Sequence, residues 1–301
     1  MQIAVLGNEG SWYVADLERA GRERGHVVQR LDFPRLTVST NVAETTNITC
    51  GELALKDFDA VIVRTMPPGS LEQVVYRMDA LASIEASGIT VLNSPKSLEC
   101  AVDKYLTTFR LAKAGLLVPP TIVCEDEETA LAAFEQLGGD VIVKPLFGSE
   151  GRGILRVSDP DLALRTFRTL ARIDAVLYLQ RFIPHAGFDL RVMVLDGEIL
   201  GGMRRYGDGD FRTNVARNGR AEPVEVSDAE REMAVVAAKV TGARFAGVDL
   251  LYGSGGECYV IEVNAVPGWR AFARVTGMDV ALRVMERLEK LDHSSSIHAR
   301  R

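Results

Sequence analysis

The chain has 301 residues, 47% of them hydrophobic and 25% charged, with a formal net charge of −6. That length allows two or three subdomains with their own cores, and the composition is that of an ordinary globular protein. The acidic balance argues against a general nucleic-acid binder, no apolar run reaches the ~20 residues of a membrane span, and no basic segment marks Met1–Leu6 as a signal peptide.

Met1–Gly7 reads as a strand running into a glycine loop, Tyr13–Arg24 as a helix ending at Gly25, and His26–Leu31 as a second strand. Thr37–Leu55 is polar and gives no clear signal. Asp59–Val63 reads as a buried strand, Leu71–Ala86 as a helix and Ile89–Leu92 as a further strand. This alternation over residues 1–95 predicts a small parallel α/β domain. No G-x-G-x-x-G follows a strand, so a dinucleotide role has no support.

Helices are expected over Asp103–Ala114, Glu127–Leu137 and Leu162–Ala171, and strands over Thr121–Cys124, Asp140–Pro145 and Val176–Ile183. Asp196-Gly197 predicts a type I′ hairpin between Asp189–Leu195 and Glu198–Arg204. Ser227 and Glu230 form a capping box for a helix over Ser227–Thr241. A last helix is expected over Val280–Leu291, followed by a polar, frayed tail. Four cysteines without C-x-x-C spacing are expected as reduced thiols in a cytoplasmic protein, and four scattered histidines form no zinc signature.

Two stretches carry chemistry. In Phe245–Trp269, apolar runs flank Gly255-Gly256, which as a two-residue type I′ loop sets Asp249 opposite Glu262 and Gly247 opposite Asn264. Two carboxylates and an amide then converge beside a residue without a side chain, an oxygen set suited to Mg²⁺ or Mn²⁺ rather than zinc. The alternative is a solvated hairpin face. In Lys144–Gly153, a lysine ends an apolar strand and Gly148, Gly151 and Gly153 follow around Ser149. Such glycines let backbone N–H groups close on phosphate oxygens while the lysine adds a charge; the plain alternative is a flexible turn. Counting from Asp196-Gly197 pairs Asp189 with Arg204 and Arg191 with Gly202, which puts Asp189, Arg191 and Arg204 on one face and Arg205 on the other.

These pieces, in this order, resemble the ATP-grasp superfamily and, within it, the RimK-like carboxylate–amine ligases. The resemblance runs from Met1 to about Leu291, through FDAVIVR, LNSPKSLECAVDKY, KPLFGSEGRG, LQRFI, FDLRVMVLDGEI, GDFRTN, AGVDLL and IEVNAVPG. It implies an α/β ATP-grasp fold with a pre-ATP-grasp domain over 1–95, a central lobe over 96–185, a C-terminal lobe over 186–292 and a disordered tail over 293–301. It further implies that Lys104 and Lys144 hold phosphates under the loop Gly148–Gly153. The hinge Gln180, Arg181, Phe182 and Ile183 would receive adenine, with backbone groups of Arg181 and Phe182 reading it, and Asp189 would meet the ribose. Arg212, Thr213 and Asn214 would lie near the terminal phosphate, and Asp249, Glu262 and Asn264 would hold two Mg²⁺. Arg191 and Arg205, rather than Arg204, would serve the reacting phosphoryl group.

The implied activity is ATP-dependent joining of a carboxylate to an amine through an acyl phosphate. L-Glutamate is the favoured amine, and a protein C-terminus, a peptide or a tetrahydromethanopterin-type cofactor is the acceptor. A regulatory ATP-binding module of the same fold, or a ligase for another amino acid, is the alternative. Arg181 stands where relatives often carry an acid, and Trp269, Arg270 and Phe272 follow Pro-Gly where smaller residues are common. No nucleic-acid or membrane partner is expected, and assembly into a homo-oligomer is left open.

Overall fold

A computed structural model describes residues 1–41, 44–148, 152–207 and 220–298. The N-terminal segment alternates β1 (Gln2–Leu6), α1 (Trp12–Glu23) and β2 (Val27–Leu31), then β3 (Leu36–Asn41), β4 (Glu44–Cys50), β5 (Leu53–Ala54), β6 (Ala60–Val63), α2 (Leu71–Ala86) and β7 (Thr90–Leu92). Strands β2-β1-β6-β7 form a parallel sheet, as the alternation predicts. Thr37–Leu55, a polar stretch without a clear apolar period, holds most of a small antiparallel sheet β3-β4-β5. Its alternation is carried by Thr, Ser and Asn, with Leu36, Ile48 and Cys50 buried, so apolar periodicity alone does not expose it.

Next come α3 (Pro95–Val102), α4 (Lys104–Lys113), β8 (Thr121–Cys124), α5 (Glu127–Gln136), β9 (Val141–Lys144), β10 (Leu155–Val157), α6 (Pro160–Ala171) and β11 (Leu177–Arg181). Helix α3 was not expected; Ser94 caps it by accepting from Ser97 N–H, with Pro95 at its first turn. Asp103 then caps α4. Strands β10-β9-β11-β8 make an antiparallel sheet.

The C-terminal segment comprises β12 (Phe188–Leu195), β13 (Glu198–Tyr206), β14 (Arg220–Val224), α7 (Asp228–Thr241), β15 (Phe245–Tyr252), β16 (Cys258–Asn264), α8 (Arg270–Thr276) and α9 (Val280–His298). Its strands pair in the order β14-β13-β12-β15-β16. The capping box at Ser227 and Glu230 is present. Helix α9 runs to His298, past the expected start of a tail, and α8 was not foreseen.

The central segment has its own core, built from Phe134, Val143, Phe167 and Leu179 among others. The N- and C-terminal segments share theirs. Ile3, Val5 and Leu17 pack in one cluster with Met193, Trp269, Phe272 and Leu288. Buried Asn93, just past β7, ties the two together: its side chain donates to the carbonyls of Phe245 and Ala265 and accepts from Phe245 N–H at 2.9 Å.

Two bulges decide which residues face the site. Asp196 and Gly197 both have positive φ, as a type I′ tip needs. Beyond it, Val194 pairs with Ile199 but Met193 pairs with Gly201, so Leu200 is an extra residue. Gly201 sits at φ +145°, and a Cβ there would lie 3.3 Å from Phe272. One extra residue reverses every side chain beyond it. Asp189 therefore opposes Arg205, not Arg204, and the expected pairing of Arg191 with Gly202 becomes Arg191 with Met203. Arg204 lies instead with its guanidinium 5.2 Å from the Phe188 ring, opposite Glu222.

In β15–β16 the turn is also different. Gly253 N–H donates to Glu257 O and Gly256 N–H to Gly253 O, making a three-residue loop in which Gly256 alone of Gly255 and Gly256 has positive φ. That would shift the register by one, but Ile261 bulges and restores Asp249 opposite Glu262 and Gly247 opposite Asn264.

Candidate active site

The three segments enclose a cleft of about 1940 Å³. From the central segment it receives Lys144, Phe147, Gly148 and the β11 end from Gln180 to Ile183; from the C-terminal sheet, Asp189, Arg191, Arg205, Asp249, Glu262 and Asn264.

On the sheet, four charges interlock. Arg205 donates Nε and Nη2 to the two carboxylate oxygens of Asp189, both at 2.6 Å, and its Nη2 also lies 2.7 Å from Asp249 Oδ2. Arg191 forks onto Asp249, through Nε to Oδ1 and through Nη2 to Oδ2 at 2.7 Å. All four side chains are buried. Burial alone would lower the Arg205 pKa, but the charges of Asp189 and Asp249 raise it. Burial pushes Asp249 up, and Arg191 with Arg205 hold it below the ordinary carboxylate value. The square is self-neutralising, which is what lets charges persist so far from water. Gly247 makes it fit: a Cβ there would come 2.9 Å from Arg191 Cδ. The space expected beside Gly247 is filled by Arg191.

Glu262 is different. It opposes Asp249 across the strands, is only half-buried, and accepts no hydrogen bond from a described residue. Asn264 Oδ1 accepts from Val266 N–H at 2.8 Å. The set is all oxygen, as a hard divalent cation prefers. Glu262 and Asn264 fit such an ion directly, whereas Asp249 reaches it only while shared with two arginines. Among the described residues no cluster of three or more His, Cys, Asp or Glu forms a metal site without the amide.

Two lysines face Glu262 from the central segment. Lys104, half-buried, donates Nζ to Gly148 O at 3.0 Å, tying α4 to the start of the glycine loop. Burial lowers its pKa against the opposing charge of Glu262. Lys144 Nζ donates to Gln180 Oε1 at 2.7 Å; burial lowers its pKa to about 8, again opposed by Glu262. Gln180 passes the network on to Thr121 and Tyr178, and Tyr178 to Thr108. This chain of side chains aims Lys144, a role for Gln180 that its place in the hinge motif LQRFI does not reveal.

In the hinge, Arg181 N–H donates to Pro120 O at 2.8 Å and Phe182 N–H to Asp140 O at 3.0 Å, so these two N–H groups are engaged in the sheet. Ile183 N–H has no backbone acceptor among the described residues. Asp189, expected at a ribose, is 3% exposed and chelated by Arg205. Gly148 and Gly153 flank the glycine loop with positive φ. Ser149 and Gly151, like Arg212, Thr213 and Asn214, lie outside the described residues.

Comparison with known proteins decides the family. Residues 101–288 match the RimK-like ATP-grasp domain and residues 1–98 the RimK PreATP-grasp domain. The chain belongs to the RimK-like ATP-grasp family. A tetrahydromethanopterin:alpha-L-glutamate ligase of Methanosarcina acetivorans is 31% identical, over 96% of this chain and 98% of that one. A protein of Thioalkalivibrio sulfidiphilus named "Probable alpha-L-glutamate ligase" is 34% identical over 96% of each chain. The ATP-grasp ligase PsnB, solved with a phosphomimetic variant of its minimal precursor, Mg and ADP, superposes with a TM-score of 0.77 at 25% identity, over 96% of this chain and 98% of that one. This RimK-like protein is an ATP-dependent ligase that joins a carboxylate to an amine. Among its described residues no helix is long and apolar enough to cross a membrane.

Proposed function

We propose that the protein adds L-glutamate to the carboxylate of an acceptor, which is a peptide, a protein C-terminus or a tetrahydromethanopterin-type cofactor. The observation that carries this reading is the meeting of Lys104, Lys144, Glu262 and the Arg191–Asp249–Arg205–Asp189 square in one cleft. The amine, and the tetrahydromethanopterin-type acceptor among the three, follow the name of the relative at 31% identity.

Lys104 and Lys144 hold the phosphates of ATP from the central side, with the glycine loop over them. Ile183 N–H meets the adenine edge. Glu262 and Asn264, with Asp249 behind them, hold Mg²⁺, two ions per nucleotide in this reading and replaceable by Mn²⁺. When bound, the metal neutralises charge on the transferring phosphoryl group. The acceptor carboxylate attacks the terminal phosphorus and ADP leaves. The glutamate amine then attacks the acyl carbon and expels phosphate. Arg191 and Arg205, fixed by carboxylates on one side, each keep Nη1 without a partner among the described residues for the oxygen that gains charge. The four free thiols suit a reducing compartment, and we place the enzyme in the cytoplasm.

Incubation with ATP, Mg²⁺, radiolabelled L-glutamate and an acceptor panel tests this: label must enter an acceptor with one ADP formed per amide. Incorporation of another amino acid in preference to glutamate would overturn the substrate assignment.

Lys144 gives a second test. Only its charged form attracts phosphate, and a bound phosphate raises its pKa above the free value of about 8. Binding therefore takes up a proton above that pH. ATP affinity measured by calorimetry is expected to stay level below about pH 8 and to weaken above it, while Lys144→Arg keeps it level. A wild-type affinity that is flat across this range would remove Lys144 from the phosphates.

A further inference from the structure

Arg64, at the end of β6, is a buried cation that the chemistry above does not use. It is 6% exposed and lines the cleft. Its guanidinium carbon lies 4.4 Å from the Trp269 ring centre and 4.9 Å from that of Tyr13, so aromatic rings hold it. Nη2 donates to Pro267 O at 2.8 Å, and Nε is buried without a partner among the described residues. No carboxylate among the described residues pairs with it. Burial lowers its pKa to about 10, and only Tyr13 offsets this. Asp16, on the neighbouring helix, is committed to Trp269 Nε1 and to Arg19.

A buried polar group without a partner is costly and calls for an explanation. Its surroundings look built for it. Gly268 admits Tyr13, whose hydroxyl lies 2.7 Å from where a Cβ would stand. Arg270 and Arg274, one turn apart on α8, line the same cleft and are exposed, so three arginines share this part of the wall. The acidic residues Asp79, Glu99 and Asp103 line it from α2, α3 and the α3–α4 junction. Pro267 follows Asn264 by three residues, at most roughly 11 Å of chain. An anion at Arg64 is thus within a substrate's length of the cation ligands without being the group they serve.

We propose that Arg64, clasped by Tyr13 and Trp269, anchors a carboxylate that the reaction does not consume, belonging either to the incoming amino acid or to the acceptor. This rests on the ligase reading, because a ligase of this class handles substrates that carry such spare carboxylates. A guanidinium fork suits a planar carboxylate better than a point charge would.

Both tryptophans of the protein, Trp12 and Trp269, lie at this place, with Arg270 5.6 Å from the Trp12 ring and Arg64 beside Trp269. Intrinsic fluorescence therefore reports its occupancy. The full-length protein is titrated with L-glutamate, with L-glutamyl-L-glutamate as acceptor mimic, and with uncharged glutaramide. A saturable emission change with at least one charged probe, and none with glutaramide, is expected; the tighter probe names the source of the carboxylate. Arg64→Gln is expected to weaken that probe by about tenfold or more while ATP–Mg²⁺ affinity holds. Arg64→Lys, which keeps the charge should Arg64→Gln not fold, is expected to fall between. No saturation by either charged probe in the wild type, or equal affinity in both variants and wild type, overturns the proposal. Glutamate incorporation that proceeds normally in Arg64→Gln would also overturn it and leave the ligase reading standing. Arg64-dependent binding without glutamate incorporation would instead overturn the assignment of glutamate and keep the site.

Discussion

An Arg205→Ala protein is expected to turn over at least about a hundredfold more slowly than the wild type at saturating ATP, the scale of one lost oxyanion donor. It is also expected to be less stable by about 3–5 kcal/mol, because breaking a buried pair leaves its partner's charge uncompensated. The two effects have separate origins. Arg205 is 6% exposed and holds Asp189 in two hydrogen bonds, so its removal strands a carboxylate that is itself 3% exposed. The catalytic loss comes from the unengaged Nη1. Arg205→Lys separates them: one ammonium restores part of the charge balance but not the fork, so stability should recover more than rate. Steady-state kinetics with denaturant unfolding measures both. An Arg205→Ala enzyme that keeps its rate at saturation while losing ATP affinity would show that the arginine serves the ground state.

Glu262→Gln is expected to lower Mg²⁺-dependent turnover by at least about a hundredfold, reflecting the several kcal/mol a bound ion supplies to charge stabilisation. Stability should change by less than about 0.5 kcal/mol, because Glu262 is half-buried and receives no hydrogen bond from a described residue. Asp249→Asn should differ sharply. Asp249 is 2% exposed and accepts from both Arg191 and Arg205. Its neutralisation leaves excess positive charge in the sheet, so it should destabilise by about 3–5 kcal/mol as well as stop turnover. Thermal unfolding beside a Mg²⁺-titrated ADP assay distinguishes them, and near-wild-type turnover in folded Glu262→Gln would remove Glu262 from the metal.

Much of this was legible because strand periodicity is strict. The parallel sheet, the capping box at Ser227 and the opposition of Asp249 to Glu262 all follow from spacing. The last was reached by a turn the structure does not have, and holds because the bulge at Ile261 offsets the longer loop. Bulges are where such counting fails. Nothing in Glu198–Arg205 announces that Leu200 is extra except Gly201, and a lone glycine in a strand is an ambiguous mark. The parity of Arg204 and Arg205 therefore came out reversed by register, and family resemblance alone favoured Arg205. Arg64 was visible as the end of an apolar strand, VIVR, yet its lack of an acidic partner is a property of the packed molecule.

The central claim is that ATP activates a carboxylate before the amine attacks. ¹⁸O placed in the acceptor carboxylate tests it most directly, with mass analysis of the phosphate released during amide formation. An acyl phosphate must carry one of those oxygens to phosphorus, so the account predicts one label per phosphate, appearing only when ATP, Mg²⁺ and L-glutamate are all present. Amide formed with unlabelled phosphate would contradict it.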